Sequence, residues 1–130
     1  MVTTALVEAN VKLGEDVYDA IKHDATLGAK GALWWFDSDA SEWRFMIVAE
    51  DYDRRGPRAA YSRVHSVLKN AGLLDRLPLV RVVVVPPSHR IPVALRKAID
   101  AAQMPRPIHV SLDDITIPEL HVEAAYVYDI

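Results

Sequence analysis

Ala32-Leu33-Trp34-Trp35-Phe36, followed by Asp37-Ser38-Asp39-Ala40-Ser41-Glu42 and then by Trp43-Arg44-Phe45-Met46-Ile47-Val48-Ala49, is the stretch that decides the fold. Two runs of β-branched and aromatic residues flank six turn formers, which predicts an antiparallel hairpin with strands at 32–36 and 43–49. Directly opposed residues of such a pair share a face, so the register can be written down. If Phe36 opposes Trp43, then Trp34 opposes Phe45 and Ala32 opposes Ile47, which places four aromatics on one face. Leu33, Trp35, Met46 and Val48 occupy the other, with Arg44 opposite Trp35. Both faces are apolar, and the hairpin therefore needs cover on each side, from helices or from a partner chain.

Upstream, Leu6, Asn10, Leu13, Val17 and Ile21 recur at three- and four-residue steps. This predicts an amphipathic helix from Thr3 to about Lys22, capped by the hydroxyl of Thr3 or Thr4, with Gly28 or Gly31 at the exit to the hairpin. Downstream, Gly56-Pro57 opens a second helix, whose buried stripe is Tyr61, Val64, Val67, Leu68 and Ala71. Leu79 to Val85, broken only by Arg81, reads as a central strand buried on both faces. Pro86 and Pro87 end it. Pro92 suits the first turn of a third helix bearing Val93, Leu95, Ile99 and Ala102, and strands follow at 108–112 and over the last ten residues. The fold class expected is α/β: a single domain over residues 1–130, with a mixed sheet of four to five strands. The order is N-terminal helix, hairpin, then α-β-α-β-β. Right-handed crossovers, with a sheet growing in one direction, place the second and third helices on one face and the first on the other.

A chain of 130 residues is about one domain long. With 51% hydrophobic and 25% charged residues it has the balance of a globular chain, and its mean hydropathy is +0.04. No apolar run approaches the roughly 20 residues that span a bilayer, so no membrane partner and a cytoplasmic location are expected. There is no cysteine, which removes thiol nucleophiles, disulfides and thiolate metal sites.

The acids Asp37, Asp39 and Glu42 at the turn, with Glu50 and Asp51 beyond the second strand, are the residue types that hold magnesium for phosphoryl chemistry. The two groups stand at opposite ends of a strand, about 23 Å apart at the usual rise, and cannot share one ion. The first helix, the strands and Glu42-Trp43-Arg44 resemble part of the PD-(D/E)xK nuclease core. That core's third strand and lysine are missing here, so no catalytic residue follows from the likeness. Asp37-Ser38-Asp39 is similar to the paired acids of nucleotidyltransferases, without the preceding Gly-Ser. His109, Ser111 and Asp113 lie on one strand face, yet neighbours two apart on a strand stand nearly 7 Å from each other, too far for a triad. The histidines at 23, 65, 89, 109 and 121 lack metal-ligand spacing. No catalytic residue, metal or cofactor is expected.

Charge is segregated along the chain. Residues 1–50 carry 4 basic and 9 acidic side chains, and residues 98–130 carry 1 and 6, whereas residues 51–97 carry 10 and 3, a local net of +7 within an overall −3. Arg54, Arg55, Arg58 and Arg63 surround the start of the second helix, and Arg90 and Arg96 that of the third. Helix N-termini at a sheet edge favour anions, so these six arginines are the candidate contact for a polyanion such as nucleic acid. The competing expectation is a solvated face paired with the chain's own acids. The function expected is a small non-catalytic interaction or accessory module that self-associates or docks on a protein partner, with Trp34, Trp35, Trp43 and Phe45 contributing to the interface. The alternative is a magnesium-dependent phosphodiesterase or nuclease-like enzyme using the hairpin acids.

Overall fold

The computed structural model describes residues 6–105, 109–117 and 120–130. Its elements are α1 (Glu8–Lys22), β1 (Ala29–Asp37), β2 (Glu42–Ala49), α2 (Asp51–Arg55), α3 (Pro57–Asn70), a 3-10 turn (Leu79–Arg81), β3 (Val82–Val85), α4 (Arg90–Ala101), β4 (Val110–Ile117) and β5 (Leu120–Asp129). The strands form one open mixed sheet in the order β3-β2-β1-β5-β4. Only β2 and β3 run parallel; the other neighbours are antiparallel. α1 starts later than the expected Thr3, with the extended Val7 as its N-cap, and Thr3 and Thr4 themselves lie outside the described residues.

The hairpin forms in the register that the alternation requires, with Ala32 opposite Ile47, Trp34 opposite Phe45, Trp35 opposite Arg44 and Phe36 opposite Trp43. Edge-on ring contacts follow directly from it: Trp34 meets Phe45 at 5.1 Å and Phe36 meets Trp43 at 5.5 Å between ring centres. Helices cover both faces. α1 and α3 bury Leu13, Val17, Ile21, Val64 and Leu68 against Trp34, Phe45 and Ile47, while α4 buries Ile91, Leu95 and Ile99 against Leu33, Met46 and Val48. Each such aliphatic side chain contributes roughly 1.5–3 kcal/mol when removed from water.

Two expectations about layout are corrected. α3 and α4 lie on opposite faces, and α1 shares a face with α3. The handedness rule governs parallel strands, and it applies to β2-α3-β3. β4 is antiparallel to β3 and sits at the far edge of the sheet, so α4 is not a parallel crossover and the rule does not place it. Second, the Val82–Val85 run is an edge strand, not a central one. Its apolar pattern reports burial on both faces, and helices on each side supply that even at an edge: Val82, Val84 and Val85 are each at most 4% exposed. Leu79–Arg81 form the 3-10 turn that precedes it. Arg81, the one charge in that run, donates to the Trp43 carbonyl at 2.8 Å and lies 5.5 Å from the Trp34 ring centre.

A buried polar knot fastens α1 to the sheet. Trp34 Nε1 donates to the Asn10 carbonyl at 2.9 Å and to the Tyr128 hydroxyl at 3.1 Å, and that hydroxyl donates to the Val11 carbonyl at 2.6 Å. These carbonyls belong to α1, so the rings must approach the helix backbone closely. Gly14 makes the approach possible: a Cβ there would overlap the Tyr128 hydroxyl and stand 2.6 Å from Trp34 Nε1. Gly56, at φ +93°, provides the other backbone requirement, turning the chain between α2 and α3 where an L side chain would be strained.

Candidate functional site

The ends of β2 and β3 converge, because the two strands are parallel neighbours. β2 delivers Glu50 and Asp51 and then α2 and the start of α3; β3 delivers Pro86 to His89 and then the start of α4. β1 begins at the same end with Ala29 and Lys30, since Ala29 pairs with Ala49, and β5 ends there, since Asp129 pairs with Ala32. This is the edge of an α/β sheet where ligands commonly bind.

Three carboxylate–cation arrangements organise this end and the adjoining helices. Arg55 grips Asp51 with Nε and Nη2, each at 2.7 Å, and Asp51 is buried at 1% exposure. Glu50 is held by Lys30 at 3.0 Å and by Arg54. Arg63 reaches across 39 residues to Asp24, its Nε at 2.9 Å from Oδ2, while Asp24 Oδ1 also accepts the Leu27 amide at 2.9 Å. Backbone bonds from Glu50 to Gly28 and from Asp51 to Leu27 stitch the loop after α1 to the end of β2. Beyond these, Arg76 approaches Asp16 of α1 at 3.5 Å.

The electrostatic consequence is uniform. Hydrogen bonding to Arg55 holds Asp51 below the usual carboxylate range, Arg63 does the same for Asp24 with help from backbone amides, and Lys30 and then Arg54 do it for Glu50. These three acids are ionised and occupied at neutral pH. The turn acids are engaged separately: Asp37 accepts from Arg44 Nε at 3.0 Å, and Glu42 meets Arg44 at 3.0 Å. They sit at the far end of β2, and among the described residues no group of three or more histidines, aspartates or glutamates is placed to hold a metal.

Of the six arginines, Arg54, Arg55 and Arg63 are therefore ion-paired, as the solvated-face expectation has it. Arg58 in the first turn of α3 and Arg90 at the start of α4 are exposed, and among the described residues no ion pair engages either. Arg96 is half-buried and lines an open groove of about 300 Å³ with Lys30, Glu50, Pro87 and Ile130. His89 caps α4, its Nδ1 accepting the Ile91 amide at 3.2 Å; burial, and then the charge of Arg90, push its pKa down. A second open groove of about 440 Å³ lies between the end of α1 and α3, lined by residues that include His23, Asp24, Arg63, Ser66 and Asn70.

The four aromatics divide. Trp34 and Phe45 have no exposed surface and are core, whereas Trp35 and Trp43 are half-buried. Lys30 escaped the sequence reading, and Glu50 was read there only as a metal-type acid; the register run outward past Ala32 and Ile47 sets Lys30 opposite Ala49 and Glu50 opposite Ala29, and the shift between Ala29 and Gly31 that replaces this pairing carried no signal. Asp24 carried none either, because its partner is on a distant helix. No family model, curated protein or solved structure matches this chain.

Proposed function

We propose that this chain is a non-catalytic binding module whose charged sheet end contacts a polyanion, with a nucleic-acid backbone as the partner class. One observation carries the reading. The parallel pairing of β2 and β3, with β1 antiparallel to β2, brings the elements that carry Lys30, Arg54, Arg58, Arg90 and Arg96 to one end of the sheet, with Arg58 and Arg90 exposed and in no ion pair among the described residues. The whole-chain charge of −3 opposes such binding at long range, but salt screens it beyond about 10 Å, so a local patch prevails at contact.

Self-association and protein docking have less support. Surplus apolar surface motivated them, yet helices cover both hairpin faces, and the large hydrophobics left exposed among the described residues are Val7 and Val80. The magnesium-dependent alternative draws no support from the hairpin acids: Asp37, Glu42, Glu50 and Asp51 are engaged by arginine or lysine, and the turn acids are separated from Glu50 and Asp51 along β2. Among the described residues, no helix is long and apolar enough to cross a membrane.

Fluorescence anisotropy with a labelled single-stranded oligonucleotide over a salt series tests the proposal. Binding at low salt should weaken steeply as salt rises, and Arg58→Ala/Arg90→Ala/Arg96→Ala should weaken binding and flatten the log–log slope by roughly 0.7 per lost contact. No binding at low salt, or binding indifferent to the triple substitution, overturns it.

A further inference from the structure

We infer that the groove between Lys30 and Arg96 is a phosphate subsite and that Glu50 is its built-in competitor, an internal anion held where an external oxyanion would bind. The inference rests on the polyanion reading and deepens it to one site and one controlling residue. Two cations hold the Glu50 carboxylate, Lys30 Nζ at 3.0 Å from Oε1 and Arg54 on Oε2, and a third, Arg96, lines the same groove as Lys30 and Glu50. Without Glu50 the cluster has a charge of about +3, and with it about +2. Pro87 and Ile130 complete the lining of this open groove. Lys30 and Arg54 come from the two sides of the hairpin and its following helix, so the cradle is fixed by the pairing of Ala29 with Ala49 and not by one flexible loop.

A carboxylate held by two cations has the charge and geometry of a bound oxyanion. A phosphate entering the groove gains Arg96 at once and must share or take Lys30 and Arg54 from Glu50. The internal carboxylate thereby lowers affinity for weak or singly charged anions, while a phosphate of higher charge competes effectively.

The test uses the full chain, with the labelled oligonucleotide as probe in two forms, bearing a 5′-phosphate or a 5′-hydroxyl, and inorganic phosphate as competitor. Glu50→Gln keeps the side-chain size and should tighten oligonucleotide binding at low salt by about fivefold, the effect of one charge at contact distance in a solvated site. Asp53→Asn, which removes an exposed charge of α2 outside the groove, should change affinity less than twofold. Adding Lys30→Gln or Arg96→Gln to Glu50→Gln should abolish the gain. Circular dichroism on each variant verifies the fold, and Glu50→Ser replaces Glu50→Gln if the latter is unfolded. Preference for the 5′-phosphate form, with competition by inorganic phosphate, identifies a terminal phosphate as ligand; equal binding of both forms identifies the internal phosphodiesters. Wild type that binds with Glu50→Gln no tighter, or no tighter than Asp53→Asn, overturns the competitor role and leaves the polyanion reading standing. Absence of binding by every variant overturns both.

Discussion

The Tyr61 hydroxyl accepts the Val84 amide at 3.0 Å, so a side chain of α3 occupies a donor on the outer edge of β3. The amide of Val82, two residues earlier and pointing the same way, is taken by the Leu79 carbonyl of the 3-10 turn. A four-residue valine edge is a template for pairing with another chain, and here both of its outward donors are already used. Substitution of Tyr61 by Phe keeps the ring and frees the Val84 amide. The variant should lose about 1 kcal/mol of stability and gain a concentration-dependent tendency to self-associate, read by denaturant melts and sedimentation velocity. A variant as stable and as well dispersed as the wild type would show that the hydroxyl protects nothing.

Gly14 sits in the middle of a helix, where alanine ordinarily gains up to about 1 kcal/mol. In this chain Gly14→Ala should instead destabilise by about 1–3 kcal/mol, because the new methyl meets Tyr128 and Trp34 in a packed interior. The cycle with Tyr128→Phe is diagnostic. Removing the hydroxyl relieves part of the overlap, so Gly14→Ala should cost less in the Tyr128→Phe background than in the wild type, and additive costs would refute the steric account.

The contrast between these two sites shows where sequence reading succeeds. The hairpin register was legible because period-two alternation and a turn-forming hexapeptide are both local, and register then follows from pairing geometry. The α3 helix was legible from Pro57 and the spacing of Val64 and Leu68, although α2, only five residues long, has too few turns to show a period. What was not legible is long-range. Whether β3 lies at the edge depends on where β5 inserts, and Val82–Val85 reads identically in either position. The charged site divides in the same way: the arginines near residues 54–63, and their pairing with the chain's own acids as one expectation, were visible, while which acid meets which arginine was not, because Arg63 finds Asp24 only after α1 and α3 pack side by side. Gly14 carries no signal in the sequence for the same reason, since its partners are 20 and 114 positions away.

The Asp24–Arg63 pair makes a statement about acid stability. Asp24 has a folded pKa below its ordinary 3.8, first through hydrogen bonds from Arg63 and then through the Leu27 amide, opposed by burial. A carboxylate of this kind contributes stability that is fully present above the unfolded value and is lost as pH falls through the folded one. Asp24→Asn should therefore be less stable than wild type at neutral pH, with the difference shrinking as pH drops from about 5 toward 2. Denaturant midpoints for the two proteins across that range check it. A constant difference would mean that the side chain acts by shape and its Leu27 bond, not by charge.

His89 gives a second pH dependence, in a different window. Its Nδ1 accepts the Ile91 amide as the cap of α4, which requires that nitrogen to carry no proton. Burial lowers its pKa from 6.5, and the adjacent Arg90 charge acts in the same direction. The folded chain thus favours the neutral ring, while the unfolded chain takes up a proton first as pH falls. The sign is fixed: the contribution is complete above the unfolded pKa, declines as pH drops below about 6.5, and is gone below the depressed folded value. Serine at this position caps the same amide with a hydroxyl and does not titrate. His89→Ser should match wild type within a few tenths of a kcal/mol at about pH 7.5 and exceed it in stability at about pH 5. The other four histidines are common to both proteins and cancel in the difference. Parallel stability curves for the two chains would show that His89 is protonated as readily in the folded chain as in the unfolded one, and that its ring nitrogen contributes no cap to α4.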